Sequence, residues 1–188
     1  MYSWIPFALF TFLLLYFFIA EHFLDKHYHD DYVRPDILTI PFAIAIVAAY
    51  AEYLIELHKQ PSIKDHDSLI YIGLIIAIIG DSIRKTGIIT LGKSFTLQIS
   101  VWHDKEHHLI TNGIYGLVRH PGYMGWYIWT LGTQIMLCNP ICFIGFGIIL
   151  FFFFKDRIEF EDDTLVLFFK DEYKEYKKKV PSGIPGIK

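Results

Sequence analysis

Cysteine is almost missing from this chain of 188 residues. The two present, Cys138 and Cys142, sit about one helical turn apart, which excludes a disulfide framework and points to buried thiols. No phosphate-binding P-loop, no dinucleotide glycine fingerprint after a strand and no nucleophile elbow occurs, so the function classes built on those motifs drop out. The histidines form no closed ligand set: His107 and His108 are adjacent, and His27 and His29 alternate before Asp30 and Asp31, so no metal is expected. No basic residue precedes the first apolar run, and Glu21-His22-Phe23-Leu24 follows it where a cleavage site would need small residues. That run reads as a retained anchor rather than a signal peptide. Internal repeats, low-complexity tracts and long linkers are absent as well, so residues 1–188 read as one domain.

Apolar residues dominate what remains. Hydrophobic residues make up 53% and aromatics 18%, too much for an ordinary soluble domain of this size. Several runs approach the roughly 17–25 residues needed to cross a bilayer. Trp4–Ala20 carries no charge. Ile37–Ala51 reaches Leu57 by including Glu52 and Glu56, and Ser68–Gly80 continues through Ile83–Leu91 if Asp81 is tolerated and Arg84 and Lys85 snorkel. Gly122–Cys138 and Ile141–Phe154 form a hairpin around Asn139-Pro140. The expected fold is therefore all-α: a polytopic membrane protein of about five spans, with spans four and five as a helical hairpin.

Charge follows the same alternation. With five spans, all but two of the 17 basic residues fall on one side, in the loop after span one, the loop before span four and the C-terminal tail. Only Lys59 and Lys64 lie opposite. By the positive-inside tendency the crowded side is cytosolic and the N-terminus lies across the membrane.

The polar stretch "GKSFTLQISVWHDKEHHLITNGIYGLVRHPGY" runs from Gly92 into span four and holds His103, His107, His108 and His120. Turn signals at Asn112-Gly113 and Pro121-Gly122 divide it. After span five, "KDRIEFEDDTLVLFFKDEYKEYKKKV" continues with helical spacing, Leu165, Phe168 and Phe169 supplying an apolar face, until Pro181 and Pro185 end it. Loop and tail thus converge on the same face beside the hairpin. Arg157 and Glu161 are four apart, on one helical face beyond the membrane. That spacing suits a surface ion pair or a polar pocket in which a guanidinium holds a carboxylate bidentately. His120-Pro121-Gly122-Tyr123 suits a helix start, or a backbone cradle where free N–H groups meet a ligand carboxylate. Glu52 and Glu56 are candidates for an intramembrane role, with interfacial solvation as the simpler reading.

"HHLITNGIYGLVRHPGYMGWYIWTLGTQIMLCNPIC", "FFKDRIEFED" and "FFKDEYKEYKKKVPSGIP" together resemble the isoprenylcysteine carboxyl methyltransferases. The RHP-x-Y element by itself is shared with phospholipid N-methyltransferases and sterol reductases; the hairpin and the ending favour the prenylcysteine branch. The resemblance implies methyl transfer from S-adenosylmethionine to the C-terminal carboxylate of a farnesylated or geranylgeranylated cysteine. The implied substrates are CaaX-processed proteins such as small GTPases, at the endoplasmic reticulum, with the cofactor site and C-terminus facing the cytosol. It assigns cofactor contacts to His107, His108, Leu109, Ile110, Tyr115, His120, Pro121, Gly122, Tyr123 and Glu161, and the substrate carboxylate to Arg157. Residues 1–91 would then be membrane helices and 92–188 the catalytic region, the cofactor lying between the loop before span four and the tail. Membrane lipid is an implied partner; nucleic acid is not. Family members carry a glutamine where this chain has Ser100, with Gln98 nearby, so that contact is unassigned. Many eukaryotic members have further N-terminal spans, and the expectation is that five suffice. The rival readings are a lipid-amine methyltransferase, with less need of a cation such as Arg157, a sterol reductase, which this short chain disfavours, and a non-catalytic scaffold or transporter, which would need polar residues along a path.

Overall fold

The computed structural model describes residues 4–28, 39–95 and 108–188, and its architecture is all-helical, with no strand among the described residues. Five α-helices follow in order: α1 (Trp4–Tyr28), α2 (Ile40–Lys59), α3 (Asp67–Leu91), α4 (Pro121–Met136) and α5 (Pro140–Lys179). Short 3-10 turns occupy Pro61–Lys64, Gly92–Ser94 and Gly113–Gly116. Two helices, α1 and α2, are long and apolar enough by composition to cross a membrane.

The central contact is α3 against α4, running antiparallel, and it is made by glycine. Gly73, Gly80 and Gly87 recur every seven residues on α3, and Gly125 and Gly132 do so on α4, the spacing that keeps one stripe facing a partner helix. A Cβ built on Gly80 would lie 2.4 Å from the Trp129 backbone nitrogen, and one on Gly125 would lie 2.5 Å from both Arg84 N and Gly80 O. The backbones therefore touch, the arrangement small residues permit between apolar helices. At the far end Gly87 seats Pro121, so this packing also sets the position of the first turn of α4.

Glu21 on α1 and Asp81 and Arg84 on α3 are buried. Arg84 does not snorkel: it is 3% exposed and grips Glu21 through Nε (2.8 Å) and Nη2 (2.7 Å), while Nη1 donates to Gly122 O (3.2 Å). Its guanidinium also lies 5.2 Å from the Trp126 ring. Lys85 pairs with Asp81 on the same helix. These partners let α3 run unbroken past Gly80 and α1 past Ala20. Breaking a buried pair leaves a bare charge at about 3–5 kcal/mol, so Glu21→Ala is expected to lower the melting temperature in detergent markedly. An unchanged melt would mean that the pair is solvated.

Glu52 and Glu56 are neither solvated nor aligned along a path. Glu52 accepts from the backbone nitrogens of Ile141 and Cys142, both at 2.7 Å, and so caps α5. Glu56 pairs with Lys64 at 2.6 Å, and the same ammonium donates to Leu137 O (3.0 Å), Cys138 O (2.8 Å) and Asn139 Oδ1 (2.8 Å). Asn139 donates in turn to Ala49 O at 2.9 Å. The two acids thereby fasten the α4–α5 hairpin, and the transport reading loses the residues that suggested it.

The expected fifth span and cytosolic helix form one element, α5, broken only at Lys170, whose φ of 50° is non-helical. A core of Phe10, Phe17, Tyr53, Ala77, Trp129 and Met136 joins the first four helices. A second cluster of Phe154, Ile158, Ile184 and Ile187 lies under the C-terminal segment.

Candidate functional site

The site begins where α4 starts. His120 is the N-cap and Pro121 the first helical residue, and no side chain caps the free N–H groups of that turn. One turn of helix brings Tyr123 against α5, where two residues four apart face it. Tyr123 OH donates to Glu161 Oε2 at 2.5 Å and accepts from Arg157 Nε at 2.9 Å. The Arg157 guanidinium also lies 5.4 Å from the Tyr123 ring centroid. Thus Arg157 and Glu161, expected on one face, are joined there through a tyrosine hydroxyl. The His120 and Tyr123 rings stack at 5.7 Å, and His120 Nδ1 is 3.9 Å from Glu161 Oε1.

Behind this chain sits a carboxylate that the sequence reading passed over. Asp162 is fully buried and binds His120 Nε2 (2.9 Å), Arg119 Nη2 (3.1 Å), Lys177 Nζ (2.8 Å) and the Tyr173 hydroxyl. Burial pushes its carboxyl pKa up, but the hydrogen bond and charge of His120, then the bonds from Lys177 and Tyr173, outweigh that and hold it well below the usual range. Asp162 therefore stays ionised at physiological pH. The stability it confers is present above its unfolded pKa and is lost only as pH falls through the depressed folded value. A signal was available: Asp162 follows Ile158 by four, on the buried stripe of α5, where a carboxylate needs donors.

Arg119, expected among the basic residues of the cytosolic side, is also buried. Nη1 donates to the carbonyls of Val180 and Lys177, and its backbone nitrogen donates to Pro181 O at 2.8 Å. His120 N donates to Ser182 O at 3.0 Å, so the C-terminal segment lies along the residues before α4. Gly183 adopts φ 108° there, with space for a Cβ closed by Met124 Sδ at 3.0 Å.

The other expected contacts divide. Tyr115 is buried, with its carbonyl accepting from Tyr176 OH at 2.6 Å; burial first, then the charge of Glu161, pushes its phenol pKa far up and keeps it protonated. Pro121 is buried, while Gly122 and Tyr123 are half-buried, the Gly122 carbonyl accepting from Arg84 Nη1. Leu109 and Ile110 are half-buried and His108 is exposed. Among the described residues, no hydrogen bond or ion pair ties these three to the Arg157–Tyr123–Glu161 chain. His107, Gln98 and Ser100 lie outside the described residues, as do His29, Asp30, Asp31 and His103. Among the described residues no group of three metal-ligating side chains gathers.

A separate, shallow apolar groove lies along the hairpin. It holds about 380 Å³ between α4 and α5, lined by Tyr127, Leu131, Phe143, Ile144, Phe151 and Phe152, within the usual range for small-molecule clefts.

Comparison with known proteins converges on one family. The model of the isoprenylcysteine carboxyl methyltransferase (ICMT) family matches residues 72–167. A probable protein-S-isoprenylcysteine O-methyltransferase of Oryza sativa subsp. indica is 44% identical over 146 residues, 78% of this chain and 76% of that protein. The Homo sapiens protein-S-isoprenylcysteine O-methyltransferase is 38% identical over 80% of this chain, which spans about half (53%) of the human length. The solved structure of a eukaryotic intramembrane Ras methyltransferase, an isoprenylcysteine carboxyl methyltransferase, matches with a TM-score of 0.95 at 32% identity, over 100% of this chain and 68% of that one. With the family model, these relatives and the matching solved structure in agreement, the chain belongs to the isoprenylcysteine carboxyl methyltransferase family.

Proposed function

We propose that this enzyme methylates the C-terminal carboxylate of prenylated cysteine in CaaX-type proteins such as small GTPases, with S-adenosylmethionine as donor and Arg157 as the carboxylate ligand. The observation that carries the reading is the hydrogen-bonded chain Arg157–Tyr123–Glu161 at the mouth of the α4–α5 hairpin. The residues present suit the donor. Glu161 offers a partly exposed carboxylate for its ammonium or hydroxyl groups, and the uncapped first turn of α4 suits its carboxylate. His120, Pro121, Gly122 and Tyr123 would hold it with Glu161, and the family resemblance adds Tyr115, His107, His108, Leu109 and Ile110 as further contacts. When bound, S-adenosylmethionine supplies an electrophilic methyl group on a sulfonium.

The acceptor carboxylate is already ionised near neutral pH, so the protein's work is alignment and exclusion of water. The Tyr123 hydroxyl orients the guanidinium through Nε, and the guanidinium in turn orients the carboxylate. The prenyl chain occupies the apolar groove between α4 and α5, whose upper residues Tyr127 and Phe151 lie within two turns of Tyr123 and Arg157. In the membrane the five helices span, with the tail and the site facing the cytosol at the endoplasmic reticulum. The intramembrane character of the related structure and the basic loop-and-tail side support that placement.

The test is methyl transfer in liposomes from labelled S-adenosylmethionine to N-acetyl-S-farnesylcysteine, with its methyl ester as the blocked control. The expected product is a base-labile ester formed from the free acid only. Donor binding without ester formation would instead indicate another lipid acceptor.

A further inference from the structure

Asp162 and Glu161 are neighbours in sequence but point apart, because successive helical residues diverge by roughly 100°. Glu161 is partly open to the site, whereas Asp162 faces inward and meets donors from two segments that must both be held against α5. Arg119 and His120 end the loop before α4, and Tyr173 and Lys177 follow the break at Lys170. We infer that Asp162 is the positioning residue of the donor site. It holds the His120 imidazole in its Nε2–H form and clamps the C-terminal helical segment to the first turn of α4.

The chemistry follows from the inventory of donors. An ionised carboxylate only accepts, so Nε2 of His120 must carry the proton in this 2.9 Å bond. Nδ1 is thereby left on the Glu161 side, with the ring stacked on Tyr123. Arg119 binds Oδ2 with one terminal nitrogen and the carbonyls of Lys177 and Val180 with the other, so one guanidinium carries the clamp from α5 to the tail. The backbone bonds from Arg119 to Pro181 and from His120 to Ser182 continue it. Asp162 acts through His120 and this backbone rather than by touching the acceptor.

The inference rests on the donor-site reading above, and the experiment separates the two. Asp162→Asn keeps the shape but removes the charge and can turn a donor toward His120. It is expected to raise KM for S-adenosylmethionine about 10- to 100-fold, the effect of one charge-assisted hydrogen bond. At saturating donor, kcat and KM for N-acetyl-S-farnesylcysteine should stay within about threefold. The 15N spectrum of histidine-labelled enzyme should lose the Nε2–H signature of His120. Tyr173→Phe and Lys177→Met each delete one donor and are expected to shift the same KM by less while remaining folded. If all three variants melt earlier with donor KM unchanged, Asp162 is only structural and the inference is overturned. If Glu161→Gln also leaves donor binding unchanged in an active enzyme, the donor-site reading fails and the inference falls with it.

Discussion

Replacing Arg157 by alanine is expected to lower kcat/KM for the prenylcysteine acceptor by about two to three orders of magnitude, while S-adenosylmethionine still binds. The magnitude is that of lost alignment, because charge on the acceptor carboxylate falls rather than develops as the methyl group transfers. The separation of effects follows from the geometry. Arg157 Nε holds the Tyr123 hydroxyl, and that hydroxyl donates to Glu161, so loss of the guanidinium leaves the Tyr123–Glu161 bond in place. Arg157→Lys should recover little, because an ammonium lacks the planar fork that grips a carboxylate at two points. Tyr123→Phe should fall between, since it removes the hydroxyl that Arg157 and Glu161 share without deleting either. Equilibrium binding of labelled donor alongside steady-state kinetics decides the matter. Loss of donor binding in Arg157→Ala would exchange the roles of Arg157 and Glu161.

A second large effect is expected far from any ligand. Gly80→Leu or Gly125→Val should leave little folded protein, and even Gly80→Ala should lower the melting temperature. The added Cβ meets backbone rather than a side chain that can swing away: Trp129 N at 2.4 Å in one case, Arg84 N and Gly80 O at 2.5 Å in the other. Overpacking ordinarily costs about 1–3 kcal/mol and more where nothing can give. Separating α3 from α4 would also unseat Pro121 from Gly87 and Gly122 from Arg84, so donor binding should weaken together with stability. Gly145 supplies the control. Nothing lies within 4 Å of its Cβ position, so Gly145→Ala should be neutral or slightly stabilising. Melting curves in detergent for Gly80→Ala and Gly145→Ala are the comparison; equal curves would show that α3 and α4 do not touch.

The site was legible in proportion to how local its geometry is. Arg157 and Glu161 could be paired from spacing because four residues make one helical turn. The His120-Pro121 start of α4 could be read because a proline at the first helical position needs no N–H. The link between them could not, since Tyr123 reaches both acids and bases only once α4 is docked on α5. Charge was the weakest guide. Arg84 and Arg119 read as cytosolic or snorkelling, but both are buried, because Glu21 and Asp162 lie 63 and 43 residues away along the chain and meet them only after folding. Glu52 and Glu56 were misread for the same reason: their partners are the backbone of the α4–α5 turn and Lys64. The glycine stripe went unread, because spacing alone does not say which helix will face it.

The sequence alone determined the all-helical character, the hairpin around Asn139-Pro140 and the residues of the resemblance. All three depend on composition, periodicity and local turn chemistry, which neighbours in the chain dictate. The tertiary structure alone decided which charges are buried, which glycines let two backbones meet and which carboxylate faces Arg119 and His120. Burial of a charge is tolerated only where a partner of opposite sign or a free backbone group arrives from elsewhere in the chain, and no local pattern encodes that arrival.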